Sequence, residues 1–252
     1  RGAIVLLSAA FYPHGLRSRL PRARYHLAEA ARRSGRTGAD VTLVAVTKSH
    51  PLAAVEAALG AGIRDIGENR VEELEVKVRA LEGLPAPRWH MIGHLQRRKA
   101  PRVIGICDLL HSVDTVRLAE RLDRFVPAGA APLPVLVQVN TSGEGTKSGI
   151  APAEAPEAVH RITELPGLSV RGLMTMAPFT DRDSVLRGAF RALRRLHEEL
   201  GSLEGYRGEH LSMGMTNDFG IAIEEGSTMV RIGTALLGPR PRPPARRAGT
   251  VA

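Results

Sequence analysis

Between residues 41 and 234 the sequence alternates short runs of apolar, β-branched residues with longer stretches of helical periodicity, and no other feature restricts the fold as much. Strand-like runs fall at 41–47, 63–67, 88–92, 108–112, 133–140, 168–175, 208–212 and 228–232. Helical patterns lie between them at 51–61, 70–82, 95–105, 115–125, 152–164, 182–200 and 217–225. Strand–helix units at this spacing give parallel strands joined by right-handed crossovers. Eight of them close into a single (β/α)8 TIM barrel, with an open doubly wound sheet as the alternative. Little sequence is left for a helix between the last strand and Pro239. A basic amphipathic helix at 16–34, with Leu16, Leu20, Leu27, Ala30 and Ala31 as its apolar stripe, is therefore expected to complete the outer layer. Pro21 is expected to limit how early this helix begins. The expected organisation is an unstructured extension at 1–15, the barrel at 16–238 and a basic, proline-rich disordered tail at 239–252.

The net charge of +9 raises the question of nucleic acid. The excess is concentrated at the two ends, in Arg17, Arg19, Arg22, Arg24, Arg32, Arg33 and Arg36 and in Arg240, Arg242, Arg246 and Arg247. No aromatic ladder accompanies them, so the stacking platform of a single-strand binder is missing and no nucleic-acid partner is expected. Cys107 is the only cysteine, which rules out an internal disulfide and a Cys-rich metal site, and no metal is expected. No run approaches the ~20 apolar residues of a membrane helix. A cytoplasmic protein without membrane attachment is expected.

The first strand, Val41 to Thr47, ends on Lys48, with Pro51 just beyond. A lysine held near apolar walls at the carboxyl end of a buried strand has its pKa lowered by desolvation. The resulting free amine is the nucleophile needed for a Schiff base with an aldehyde. The plain alternative is a lysine that snorkels to solvent. A barrel gathers the carboxyl ends of its strands on one face, which here brings together Lys48, Asn69, His94, Ser112, Asn140, Met174, Ser212 and Gly233. The loop after strand seven, Ser212-Met213-Gly214-Met215-Thr216-Asn217-Asp218, combines hydroxyls, a glycine and a helix start, a combination suited to a phosphate. The loop after strand eight adds Gly233 and Thr234. Arg231 sits inside the apolar strand Thr228-Met229-Val230-Arg231-Ile232 and needs an acceptor from protein or ligand. An amine at one side and a phosphate cradle at the other suit a phosphorylated aldehyde bound as an imine. Pyridoxal 5′-phosphate and a phosphorylated sugar in a Schiff-base aldolase both meet that description.

Several stretches, in order and correctly spaced from about residue 16 to 238, carry a resemblance to a known family. They are Val44-Ala45-Val46-Thr47-Lys48, Ile66-Gly67-Glu68-Asn69, Trp89-His90-Met91-Ile92-Gly93-His94-Leu95-Gln96, Val139-Asn140-Thr141-Ser142-Gly143-Glu144, Lys147-Ser148-Gly149, Arg171-Gly172-Leu173-Met174, Leu211-Ser212-Met213-Gly214-Met215 and Ser227-Thr228-Met229-Val230-Arg231-Ile232-Gly233-Thr234. Together they resemble the YggS/PROSC-type pyridoxal phosphate homeostasis proteins. The resemblance implies a single barrel similar to the N-terminal domain of alanine racemase, with Lys48 holding pyridoxal phosphate covalently. It implies that Arg231 faces the pyridine nitrogen, that Asn69 lies near the ring, and that Ser212, Met213, Gly214, Gly233 and Thr234 surround the phosphate through backbone and hydroxyl donors. It further implies a carrier or buffer of intracellular vitamin B6 without established catalysis, a monomer or weak homodimer, with pyridoxal-phosphate-dependent apoenzymes as partners. Two positions depart from the family pattern: Thr216 stands where serine is usual, and Arg98 stands where asparagine is usual.

The competing expectation is an amino-acid racemase-type enzyme. Racemisation needs acid–base groups on both faces of the substrate. Fold-related racemases take the second group, a tyrosine, from another domain, and Tyr12, Tyr25 and Tyr206 do not fall at strand ends. An arginine at the pyridine nitrogen would also keep that nitrogen unprotonated and the ring a weak electron sink. Both points favour the carrier.

Overall fold

The computed structural model describes residues 2–145 and 147–240, with residues 2–10 described by their backbone alone. Helix α1 (Gly2–Arg33) precedes the barrel. The repeating part then runs β1 (Thr42–Val46), α2 (Leu52–Gly60), β2 (Asp65–Glu68), α3 (Val71–Ala80), β3 (Arg88–Met91), a 3-10 segment (Arg97–Arg102) and β4 (Leu109–Val113). It continues through α4 (Val116–Asp123), β5 (Leu133–Gln138), α5 (Ala155–Thr163), β6 (Leu168–Met174), α6 (Asp183–Glu199), β7 (Tyr206–Met215), α7 (Phe219–Glu224), β8 (Met229–Ile232) and α8 (Thr234–Leu237). The strands form a closed parallel barrel in the order β1 to β8. Closure is made by β1 and β8, with Val44 opposite Arg231 and Ala45 opposite Ile232. The expected (β/α)8 barrel is the observed fold.

Strand side chains alternate between two cores, as the pleat requires. Val44, Leu109, Leu136, Met174 and Met229 form a small apolar cluster in the lumen. Their neighbours in sequence, among them Ala45, Leu110, Val137, Leu173 and Val230, join the large core between barrel and helices. The lumen cluster draws on β1, β4, β5, β6 and β8 only. The space facing β2, β3 and β7 is filled by polar groups described below.

Two expectations are corrected. Residues 2–15 are helical, part of α1, which continues through both Pro13 and Pro21. An interior proline costs about 3 kcal/mol. Here the face spaced Tyr12, Leu16, Leu20, Ala23, Leu27, Ala30 and Ala31 is buried throughout and offsets that cost. The face packs on α2, α7 and α8, and so closes the outer layer where α8 is short. The second correction is 95–105, expected as a helix. Only Arg97–Arg102 is helical there, as a 3-10 turn with Pro101 inside it, because proline removes the donor an α-helix would need. Arg1 of the expected extension and residues 241–252 of the expected tail lie outside the described residues. No helix among the described residues is long and apolar enough to cross a membrane.

Gly93, just after β3, lies flat against the loop after β2: a Cβ there would stand 2.3 Å from the Asn69 carbonyl oxygen and 2.7 Å from its Cα. Gly93→Ala must push that backbone away, at about 1–3 kcal/mol. It is expected to lower the melting temperature by several degrees, read by calorimetry. An unchanged melting temperature would show that the contact is slack.

Candidate functional site

The turn that presents Lys48 is built by α3. Thr47 is fully buried, and its carbonyl accepts from Lys77 Nζ at 2.9 Å and from the His50 amide at 3.0 Å. Lys77 also meets Glu68 Oε1 at 2.5 Å, and the Thr47 hydroxyl donates to the same oxygen at 2.5 Å. Both members of the ion pair are buried, with side-chain exposures of 7% and 0%. Ser49 has φ of 61°, the one positive φ at a non-glycine residue among the described residues. Its amide is held by Glu73 at 2.6 Å. A left-handed serine is strained, and the surrounding bonds hold it. Lys48 therefore emerges from a fixed turn, half-buried, with no ion pair among the described residues.

The electrostatics at Lys48 disfavour its charged form relative to an exposed lysine. Burial, and then the cations of Arg240 and Arg231, hold its ammonium below the ordinary lysine range, with Glu68 and Glu73 opposing. On the neighbouring strand β8, Arg231 is 4% exposed. Its Nη1 donates to the Ser212 carbonyl at 2.9 Å and to the Ser212 hydroxyl at 2.5 Å, and its Nη2 to the Thr175 carbonyl at 3.0 Å. Burial brings its pKa down to about 10, with Asp218 countering. A guanidinium has five N–H donors. Three are occupied, which leaves two for something else. Arg231 makes no ion pair among the described residues. A buried cation held only by neutral acceptors is suited to a ligand atom that accepts a hydrogen bond.

The remaining sequence candidates separate. Asn69 lines a cleft of about 520 Å³ at the mouth with Glu73, Met91, His94 and Lys99. Ser212 is fully buried, and its hydroxyl is engaged by Arg231 and His111. The Met213 side chain faces the opposite way, into the outer core. Gly214 has φ of 95° and would place a Cβ 2.6 Å from that of Ala222, so it serves close packing of β7 on α7. Gly233 starts α8 and lies near Val46, with Thr234 next to it. Thr234 and Thr216 line a cleft of about 400 Å³ that also takes Arg19, Arg22 and His26 from α1. Of the other strand ends, Ser112 donates to the Gly93 carbonyl, Asn140 ties its own loop at Glu144 and Lys147, and Met174 is lumen core. His94 pairs with Asp114 at the rim. Among the described residues no group of three or more His, Cys, Asp or Glu side chains is placed to hold a metal ion.

Sequence reading missed the residues that support Lys48 and Arg231. Lys77 is in register with Val71, Leu74 and Leu81 on the apolar face of α3, and a lone cation at such a position was the available signal. His90 and His111, each a buried imidazole between apolar strand residues, carried the same signal.

A closed parallel barrel with a half-buried lysine after β1 and a buried arginine on β8 defines a class of lysine-bearing TIM barrels. Comparison with known proteins narrows it. The family described as alanine racemase, N-terminal domain, matches residues 19–241. A protein of Pseudomonas aeruginosa named pyridoxal phosphate homeostasis protein is 44% identical over 212 residues, covering 84% of this chain and 90% of its own. The protein of the same name from Escherichia coli K12 is 41% identical over 226 residues, covering 88% and 95%. The chain belongs to this family of pyridoxal phosphate homeostasis proteins. Among solved structures, PipY of Synechococcus elongatus with pyridoxal phosphate bound superposes with a TM-score of 0.73 at 35% identity, covering 84% of this chain and 100% of that one. Alanine racemase of Clostridium difficile shares the fold, with a TM-score of 0.68 at 13% identity, over 81% of this chain and 56% of that one.

Two substitutions probe the site's electrostatics. Arg231→Met removes a cation near Lys48, so the ammonium there is less disfavoured and the Lys48 pKa is expected to rise. The pH profile of Lys48 acylation, read by mass spectrometry, should move to higher pH, and a move to lower pH would contradict the assignment. Lys77→Met leaves Glu68 buried without its partner, expected to cost about 3–5 kcal/mol at neutral pH. Burial already raises the Glu68 pKa, and loss of Lys77 raises it further. A raised folded-state pKa gives stability that is present at acidic pH and lost as pH rises through it. The variant should therefore recover stability, relative to the parent, as pH falls toward 5, measured by urea melts. An equal deficit at all pH values would contradict this.

Proposed function

We propose that this chain binds pyridoxal 5′-phosphate through a Schiff base on Lys48 and serves vitamin B6 homeostasis as a carrier or buffer. The observation that carries the proposal is the pairing of a depressed, half-buried amine at Lys48 with a buried guanidinium at Arg231 that keeps two donors free. When bound, pyridoxal phosphate supplies an electrophilic aldehyde, an aromatic nitrogen and a phosphate. Lys48 meets the aldehyde, and the lowered ammonium pKa raises the share of free amine above that of an ordinary lysine. Arg231 donates to the ring nitrogen and, as a fixed cation, opposes its protonation. Asn69 borders the ring, and the backbone and hydroxyls at Gly233 and Thr234 receive the phosphate, with Thr216 adding a further hydroxyl. Arg19 and Arg22 of α1 add positive charge on that side. Ser212, Met213 and Gly214 shape this end from behind: Ser212 by holding Arg231, and Gly214 by seating α7. The names of the relatives and the cofactor of PipY support the same ligand.

Carriage rather than turnover fits the placement of the acid–base groups. Tyr12 is bonded to His50 and Tyr206 to His197, and Tyr25 is exposed on α1. The acceptors served by such a carrier would be pyridoxal-phosphate-dependent apoenzymes. The purified protein incubated with pyridoxal phosphate is expected to show a visible absorption band that borohydride removes, with a matching mass increase on the peptide containing Lys48. Lys48→Ala is expected to lose both. A colourless protein that takes up no cofactor would refute the proposal, and so would labelling at another lysine in the Lys48→Ala variant with an unchanged band.

A further inference from the structure

The lumen opposite the apolar cluster holds a continuous hydrogen-bonded chain from Arg231 to the far end of the barrel. The Ser212 hydroxyl, which accepts from Arg231, lies 2.9 Å from His111 Nδ1. His111 Nε2 lies 2.9 Å from His90 Nδ1. His90 Nε2 lies 3.0 Å from Asp65 Oδ1, and Arg88 clasps Asp65 with bonds of 2.8 and 2.6 Å. Ser212 and His111 are 0% exposed, His90 2% and Asp65 7%. Asp65 and Arg88 open onto a cleft at the amino ends of β1 and β2, so the chain runs the length of the barrel. Successive links sit on β8, β7, β4, β3 and β2, positions that neither the periodicity nor the resemblance assigned a role together.

Asp65 at the far end fixes the direction of this chain when each imidazole carries one proton. Burial disfavours the Asp65 carboxylate, but the bonds from His90 and Arg88 outweigh it and hold Asp65 below the ordinary range, so Asp65 only accepts. His90 must then donate from Nε2. With one proton on each imidazole, His90 Nδ1 accepts from His111 Nε2, and His111 Nδ1 accepts from the Ser212 hydroxyl. Burial keeps His111 uncharged. The Ser212 oxygen, its own proton committed, faces Arg231 as an acceptor alone. Every bond points from Arg231 toward Asp65, the arrangement in which successive bonds polarise one another in the same sense.

We propose that Ser212, His111, His90 and Asp65 form a one-way relay that positions Arg231 and presents its two free donors to the cofactor ring. The inference rests on the cofactor reading above and adds to it the positioning residues His111, His90 and Asp65. The relay gives a buried cation that makes no ion pair among the described residues an oriented hydroxyl acceptor, and it does so without placing a carboxylate where the ring nitrogen must sit.

Two measurements test it. In the cofactor-free protein, long-range 1H–15N spectra, assigned through His111→Gln and His90→Gln, are expected to show His111 with its proton on Nε2. A proton on Nδ1 of His111 reverses the chain and overturns the proposal. In the cofactor-loaded protein, His111→Phe is expected to shift the visible band and to weaken cofactor retention about tenfold, the size of one lost hydrogen bond to a charged group. His111→Gln, whose amide can accept from Ser212 and donate to His90, is expected to restore both. Ser212→Ala, a smaller change, should repeat the phenylalanine result if that variant folds poorly. A band and affinity equal to the parent's in both His111→Phe and Ser212→Ala, with Lys48 still labelled, overturns the relay and leaves the cofactor reading intact. A parent protein that takes up no pyridoxal phosphate overturns the cofactor reading, and the relay's purpose with it.

Discussion

Arg231 is the interaction on which the rest of the site depends. A guanidinium in a barrel lumen keeps its charge and must be given acceptors, or the strand that carries it cannot be buried. The structure meets this with two carbonyls and one hydroxyl from β7 and the end of β6, without a carboxylate. That choice leaves the lumen half apolar and half polar. Leu136, Met174 and Met229 fill one side, and the histidines and Asp65 occupy the other. It also leaves two of the five N–H donors of the cation without a protein acceptor.

Lys48 is shaped by the same charge on the neighbouring strand and by a separate clamp from outside. The buried Lys77–Glu68 pair and the Glu73 carboxylate grip the backbone on either side of the lysine. A buried ion pair is weak evidence for stability, since desolvation offsets much of its attraction. Its value here is geometric: it holds a left-handed Ser49 and aims the neighbouring side chain. Glu68 Oε2 has no partner, so the clamp carries one unsatisfied oxygen in the shell behind the site. The two cations at the mouth thus have different roles. One is kept charged and immobile, and the other is pushed toward the neutral form that reacts with an aldehyde.

The barrel was legible because strand–helix alternation is a long-range pattern repeated eight times, robust to errors at any one boundary. Lys48 and Arg231 stood out because each is a cation in an apolar strand context. The reach of α1 was misjudged from Pro21, since helix propensity is local and the buried stripe from Tyr12 to Ala31 is a tertiary gain that a proline does not announce. The 3-10 segment at Arg97–Arg102 had the converse problem, an acceptable composition interrupted by Pro101. Ser212 was read among the residues around the phosphate, and its hydroxyl meets Arg231 in the lumen. Its partner His111 is 101 residues away in sequence. Contacts between strands so distant depend on barrel closure and register, which a single sequence does not display. The cleft joining Thr216 and Thr234 to Arg19 and Arg22 needed α1 docked on the barrel, a placement that composition alone left open.

The central claim is that Lys48 and Arg231 grip opposite sides of one pyridoxal phosphate ring, with the ring nitrogen facing a fixed cation. The most direct measurement is the nitrogen-15 chemical shift of ring-labelled pyridoxal phosphate bound to the protein, compared in the parent and in Arg231→Glu. In the parent the shift should be that of an unprotonated pyridine across the neutral pH range, and it should move to the pyridinium value when the carboxylate replaces the guanidinium. A pyridinium shift in the parent, or no response to the substitution, would contradict the placement of Arg231 against the ring.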